Sequence, residues 1–374
     1  MFDKSNYLAT KESTIVSKDL VRCGVIGAGW WATTHHIPAL KEHPKAELIA
    51  VQRRTREKAG KVAQDFDIPH ACTTAEELVG IDELDAVVIS STPNMHYAQA
   101  KAALDRGLHV LIEKPMTIDL NESLELVELA KSKGLHFLVS CPWHYAKHSL
   151  EAKRLIQSGA LGQLKMISMM YTNSCLELYK AVITGSKASD TFSKSYQRPG
   201  KTSYNDPAVA GGGHVYCQVS HVAGLLAFLT GQEPAEVYAR FDNAGAPVDV
   251  YNAINIKLED GTLVSVATHG ATMRGERTYE THLYGTDARL FIEFWRGNMR
   301  LRHLDGKETA YPDLPGAESY PRRAPTNNLV DVVAGDAENG SPATLGATAM
   351  KVIAASCESV RTKSNVILAK TTSS

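Results

Sequence analysis

The sequence has no apolar run approaching the ~18 residues of a membrane-spanning helix, and its first twenty residues contain no hydrophobic segment of the kind that opens a secretory signal. A membrane partner and an exported form are therefore not expected. Cysteine is sparse. Cys23, Cys72, Cys141, Cys175, Cys217 and Cys357 are scattered irregularly with no CxxC pair, which argues against a disulfide framework and points to reduced thiols in a cytoplasmic protein. There is no excess of basic charge: 40 Lys and Arg stand against 41 Asp and Glu, without a dense basic cluster. Nucleic acid is thus not expected as a partner, and small neutral ligands fit better. Internal repeats and low-complexity tracts are also missing. What remains is a chain of 374 residues, too long for one ordinary core. It divides into a polar leader over 1–20, a first domain over 21–142 and a second over 143–374.

From Val21 to about Ser140, short apolar runs alternate with helical patterns, as in a doubly wound parallel sheet. The strands are "VRCGVI", "ELIAVQ", "DAVVIS", "HVLIE" and "HFLVS", with a short one at "IPHAC". Ligands of such sheets sit at the carboxyl ends of the strands. The first of those ends reads "GVIGAGWWA", with Gly27, Gly29 and Ala32 in a G-x-G-x-x-A pattern between a strand and a helix. Gly27 permits the turn, Gly29 lets backbone approach a pyrophosphate, and Ala32 keeps helix and strand close. Trp30 and Trp31 belong to the same dinucleotide loop; the alternative is a glycine-rich turn without a ligand. The second strand ends in Arg53 and Arg54, where an NAD site usually has a carboxylate for the ribose hydroxyls. Two cations there favour NADP, with NAD possible if they are merely solvated or stack on adenine.

Further along the ligand edge, Ser91, Thr92, Pro93 and Asn94 end one strand and start a helix, capped by Thr92 or Asn94. His96 in its first turn faces either the cofactor or solvent. Glu113, Lys114 and Pro115 end the next strand and project a lysine from the edge. In "GGGHVYCQVSH", Val215, Val219, Val222 and Leu226 form one helical stripe, while His214, Cys217, Gln218 and His221 share the neighbouring face. That second face suits an active-site wall, incidental core histidines or, less well, zinc. No ligand set is complete there, nor at His144 and His148, so no metal is expected.

The order of these motifs resembles the glucose-fructose oxidoreductase, inositol dehydrogenase and MocA family. Matching segments are Gly27-Ala28-Gly29, Glu113-Lys114-Pro115 and Gly211-Gly212-Gly213 through His221, with "YGTDARLFIE" and "ATAMKVIAASCESVRTKSNV" also similar. The resemblance implies a Rossmann domain followed by an α+β domain with a large, open, mainly antiparallel sheet that often builds a homo-oligomer interface. The alternation in "AEVYARF", "NAINIKLEDGTLVSVAT", "THLYG", "RLFIEFW" and "MRLRHL" independently predicts a meander, with a type I′ hairpin at Asp260-Gly261.

The resemblance also implies hydride transfer between a nicotinamide and a secondary ring hydroxyl or ketone of a sugar, glycoside or cyclitol. Lys114 would hydrogen-bond that oxygen, and His221 would act as base or proton relay. Many family members carry Asp four residues before the histidine, where this chain has Cys217, a neutral spacer or, less readily, a participating thiol. His214, Tyr216, Gln218 or Asp206 could compensate. His144, Tyr204, His214 and Gln218 are expected to border the substrate, and Tyr196, Arg198 and Lys201 lie in an irregular loop leading to the glycines. Two alternative functions are a glycoside-cleaving enzyme that oxidises transiently with a recycled cofactor and a non-catalytic dinucleotide-binding sensor.

Overall fold

A computed structural model describes residues 19–180, 196, 203–273 and 275–369. Residues 1–18 of the expected leader and the loop residues Arg198 and Lys201 lie outside the described residues. Six strands, β1 (Val21–Ile26), β2 (Ala46–Gln52), β3 (His70–Cys72), β4 (Ala86–Ile89), β5 (His109–Ile112) and β6 (Phe137–Val139), form a parallel sheet in the order β3-β2-β1-β4-β5-β6. Residues 86–89 and 137–139 are buried throughout, as expected for strands covered by helices on both faces. Strand order reverses between β1 and β4, which opens the crevice at their carboxyl ends. Gly27 lies at that crevice with φ +76°, and a Cβ there would come within 2.5 Å of the Ser91 backbone nitrogen. Only glycine meets both conditions.

The second sheet has nine strands: β7 (Leu164–Thr172), β8 (Pro234–Asp242), β9 (Tyr251–Leu258), β10 (Leu263–His269), β11 (Thr278–Gly285), β12 (Ala288–Glu293), β13 (Asn298–His303), β14 (Glu308–Ala310) and β15 (Val366–Ile367). Their order is β14-β13-β12-β11-β7-β10-β9-β8-β15. The sheet is mainly antiparallel but is not a simple meander. The strand β7, whose Met-rich "LKMISMMYT" lacks a clean alternating pattern, inserts between β10 and β11 and pairs parallel with β10. The β9–β10 hairpin is present with a different turn. Leu258 N donates to Thr262 O and Gly261 N to Leu258 O, and of Asp260 and Gly261 only the glycine has positive φ, at +89°. A type I′ turn needs two such residues, whereas this arrangement fits a three-residue loop with glycine in the left-handed position.

The chain does not leave the first domain for good at residue 142. Helix Ala324–Ala334 returns to the first sheet, burying Leu329, Val330 and Val333 in one core with Val25, Val51, Val88 and Leu111. Helices Ser220–Thr230 and Ala343–Thr362 join the other core, which spans the two sheets. No helix among the described residues is long and apolar enough to cross a membrane.

Candidate active site

The cofactor side is built from groups that hold one another. Gln52, at the end of β2, accepts from Gly27 N through Oε1 (3.1 Å) and donates through Nε2 to Thr73 O (2.9 Å). Arg53 Nη1 donates to Ala28 O at 2.6 Å, so this arginine ties down the glycine loop, while Arg54 projects exposed beside it. Gly29 has open space where a side chain would stand, since a Cβ would meet only Gly27 O, at 3.7 Å. That opening, ahead of helix-start amides with no intrahelical acceptor, fits a dinucleotide pyrophosphate. The helix begins with a π-turn over Ala32–His36, the rarer form that is frequent at functional sites.

Glu113 sits at the centre of this side. Its Oε1 accepts from Trp31 Nε1 (2.9 Å) and lies 3.1 Å from His36 Nε2, and His36 Nδ1 is 2.7 Å from Thr326 Oγ1. Burial alone would raise the carboxyl pKa, but the His36 bond, the Lys114 charge and Ser140 outweigh it and hold it below the ordinary range. The Lys114–Pro115 peptide that follows is cis. Ser91 Oγ donates to Gln99 Oε1 (2.6 Å), and Thr92 donates to Asn94 Oδ1 (2.8 Å) without capping the helix Pro93–Asp105, contrary to the expected cap. His96 faces neither solvent nor an open cleft. It is buried, with Nδ1 2.9 Å from Pro115 O and Nε2 3.2 Å from Ser91 O, so it clamps the two edge loops together. Burial lowers its pKa despite those carbonyls.

Across the crevice stands the glycine-led helix, which opens with a π-turn over Val215–Val219. Val215, Val219, Val222 and Leu226 are all buried, as the periodicity requires. The three glycines make room for neighbouring groups of the protein itself. Cβ atoms on Gly211 and Gly212 would meet the Tyr216 ring at 2.5 and 2.7 Å, and one on Gly213 would strike Asp249 O at 2.1 Å. Asp249 is the helix cap: Oδ1 accepts from Gly213 N (2.9 Å), and Oδ2 from Val215 N (2.7 Å) and Asn252 Nδ2 (2.8 Å). It stands more than thirty residues downstream in the sequence, in "PVDVY", where no local pattern marks it.

Lys114 Nζ reaches this helix and donates to the backbone carbonyl of Cys217 at 2.8 Å. The Cys217 thiol accepts from Gln218 Nε2 at 3.3 Å and is not the atom that holds the lysine. His221 is buried with Nδ1 unpartnered; burial first, then the charges of Lys114 and His144, drive its pKa well below the usual value, so it is neutral. Among the described residues, no carboxylate takes the place of the aspartate that the resemblance leads one to expect beside His221. Asp206 accepts from Ala208 N and caps its own short helix, and Tyr216 donates to Ile118 O. His214 is fully buried beside Tyr179, whose hydroxyl lies 3.1 Å from Nδ1, and burial pushes its pKa down to about 3. Tyr179 was not a sequence candidate; it bears on both Cys217 and Cys175. Tyr204 is drawn between the walls, hydrogen-bonded to Trp30 and near Cys217. His144 does not line the cleft. It stacks on Phe228 (4.8 Å between centroids) and contacts Ser341 Oγ through Nδ1, behind the helix near Gly224. Tyr196 packs instead on the first domain, donating to Asp65 beside Phe66. No cluster of three or more His, Cys, Asp or Glu among the described residues is arranged to hold a metal ion, and His148 contacts Gly297 O (2.7 Å).

Comparison with known proteins matches residues 21–141 to the model of an oxidoreductase family with an NAD-binding Rossmann fold, and 149–291 to the GFO/IDH/MocA C-terminal domain. The chain belongs to the GFO/IDH/MocA family. It is an NAD(P)-binding oxidoreductase fold with sugar-related relatives. It spans less than half the length of the first curated relatives that it matches. One of these, dTDP-3,4-didehydro-2,6-dideoxy-alpha-D-glucose 3-reductase of Streptomyces antibioticus, is 33% identical over 41% of this chain and 46% of its own. The 1,5-anhydro-D-fructose reductase of Ensifer adhaerens is 26% identical over 76% of this chain and 81% of its own. Levoglucosan dehydrogenase, solved in complex with NADH, superposes with TM-score 0.79 at 16% identity, covering 94% of this chain and all (100%) of that one; this likeness concerns the fold.

Proposed function

We propose that this protein transfers a hydride between NAD(P) and a carbon bearing a secondary ring hydroxyl of a carbohydrate, a glycoside or a cyclitol. The observation that carries the reading is Lys114, which projects from the end of β5 and is held 2.8 Å from the Cys217 carbonyl on the helix that bears neutral His221. The residues that would hold the dinucleotide are the Gly27–Trp31 loop, Arg54, the turn from Ser91 to Asn94, and the backbone from Glu113 to Pro115. When bound, the nicotinamide supplies the hydride acceptor or donor.

An ammonium has three donors, and the Cys217 carbonyl engages one of them, so Lys114 keeps two for the reacting oxygen. Its fixed charge favours an alkoxide as the hydroxyl proton departs. His221 is already deprotonated and can accept that proton without first losing one. The Lys114 charge that weakens His221 as a base is the same charge that stabilises the developing oxyanion. Glu113 and His96 keep the lysine loop in place from behind. Arg54, exposed at the end of β2, supports NADP over NAD because no carboxylate occupies that position.

The reading also takes the protein to be a cytoplasmic homo-oligomer associating through the outer face of the second sheet. Leu263, Met166 and Met170 support this, being neighbours on β10 and β7 that are 57%, 44% and 44% exposed. Light scattering should give a mass above 40.7 kDa that drops towards the monomer in Leu263→Glu. The direct functional test is formation of reduced cofactor from NADP or NAD across free sugars, glycosides and inositols. Turnover of one class supports the enzyme; cofactor binding without turnover of any class opposes it.

A further inference from the structure

The even overall charge suggests a neutral ligand, yet one part of the cleft is unbalanced. The Arg277 guanidinium lies over the Trp295 ring at 3.9 Å and that of Arg322 over the Tyr320 ring at 4.7 Å, and those two rings are neighbours with centroids 5.1 Å apart. Among the described residues, neither guanidinium has a carboxylate within ion-pair distance, whereas adjacent Arg323 pairs with Glu42 and nearby Lys147 pairs with Glu318. Glu293, the acid whose charge acts on Arg277, is engaged by backbone, accepting from Tyr279 N (3.1 Å) and Arg296 N. The Arg322 charge lowers the Arg277 pKa, after the larger effect of partial burial. Two like charges held close on a rigid aromatic floor cost stability unless an anion joins them.

Their position relates them to the reacting groups. Arg322 bears on His35, lowering its pKa to about 4 after the effect of burial. The His35 ring is 4.2 Å from Trp31, whose indole donates to Glu113, the residue before Lys114. Tyr320, beneath Arg322, is in turn within electrostatic reach of Glu113 and Cys217. The arginine pair is thus linked to the first wall through His35 and Trp31, and to the second through Tyr171, whose ring centroid lies 6.3 Å from that of Trp295 and 6.1 Å from that of His214.

We infer that Arg277 and Arg322 form an oxyanion clamp and that the substrate is an anionic carbohydrate, a sugar bearing a carboxylate or a phosphate away from the oxidised carbon. Planar guanidinium forks suit either oxyanion, and their stacking on Trp295 and Tyr320 orients them before substrate arrives. This rests on the hydride-transfer reading for its kinetic test but not for its binding test.

Initial rates with matched neutral pyranoses, their uronates and their 6-phosphates should show at least a tenfold preference in kcat/KM for one anionic member, and whichever member leads identifies the source of the oxyanion. Arg277→Gln and Arg322→Gln should each erase most of that preference, chiefly through KM, and Arg322→Lys should restore part of it. Neutral sugars preferred in every pair, with Arg322→Gln leaving the ratio unchanged, would overturn the clamp while leaving hydride transfer intact. If no sugar is turned over, tryptophan fluorescence titrated with glucuronate and with inorganic phosphate decides, because Trp295 lies directly beneath Arg277. A saturable change lost in both Gln variants supports the clamp, and no change beyond a sodium chloride control of equal ionic strength rejects it.

Discussion

The two walls of the crevice differ in how far their polar groups are satisfied. On the cofactor wall, Gln52, Arg53, His96 and Glu113 each hydrogen-bond to named partners within the protein. On the other, His214 Nε2 and His221 Nδ1 are buried without a partner, as are His144 Nε2 behind them and Trp295 Nε1 nearby. Among the described residues, every orphaned buried side-chain polar atom lies beyond residue 142. An unmade hydrogen bond in a buried site costs about 1–3 kcal/mol. The first wall is thus a finished frame, while the second is left incomplete where a substrate and its proton would act.

The sharpest way to break this contrast is to remove Lys114, whose ammonium bridges the walls. Lys114→Ala should lower turnover by about a thousandfold or more, the scale of losing a main charge-stabilising donor, while cofactor affinity measured by fluorescence stays within about threefold. Loss of both in parallel would make Lys114 part of the frame. The next effect is on stability. His144 and His214 have pKa values depressed to about 3, so above about pH 6.5 they are neutral folded or unfolded, and their neutrality has no effect on pH dependence there. As pH falls below 6.5 the unfolded chain takes up protons that the fold refuses. Stability should therefore decline between pH 6.5 and 3, by about 2 kcal/mol per histidine at pH 5, with His144→Phe flattening the curve measured by denaturant titration. A flat curve in the parent would mean that these histidines accept protons in place.

Smaller changes sharpen the contrast. Arg54→Ser should shift the NADP-to-NAD ratio of kcat/KM towards NAD by about tenfold, the effect of one charged contact with a phosphate. An unchanged ratio would return Arg54 to the solvent. Cys217→Ala should alter turnover by no more than about threefold, because Lys114 is held by the residue's carbonyl and not by its sulfur. A collapse comparable to that of Lys114→Ala would bring the thiol into the chemistry.

The first wall was largely legible in sequence because its requirements are local. Gly27 and Gly29 follow a strand directly, Arg53 and Arg54 end the next, and Glu113-Lys114-Pro115 ends a third, each within a few residues of the element that positions it. Gln52 escaped notice although it stands beside Arg53, since an amide at a strand end carries no motif. The second wall was legible only as a helix face. Its stripe of Val215, Val219 and Val222 is periodic, but its cap, Asp249, and the partner of His214, Tyr179, are more than thirty residues away in the chain. His144 had the right residue type in a plausible segment, yet stacking on Phe228 put it behind the helix, a choice made by tertiary packing. The return of helix Ala324–Ala334 to the first sheet is likewise a long-range packing outcome, invisible to a boundary drawn at residue 142.

The most direct test of hydride transfer is the fate of a labelled hydrogen. Carbohydrates deuterated at the ring carbinol carbons would be incubated with the protein and NADP or NAD, and the cofactor analysed by mass spectrometry. The account predicts deuterium in the reduced cofactor with the parent protein and none above background with Lys114→Ala, although both bind the dinucleotide. A parent protein that binds dinucleotide yet moves no deuterium from any carbohydrate, or a Lys114→Ala variant that transfers it as readily as the parent, would contradict it.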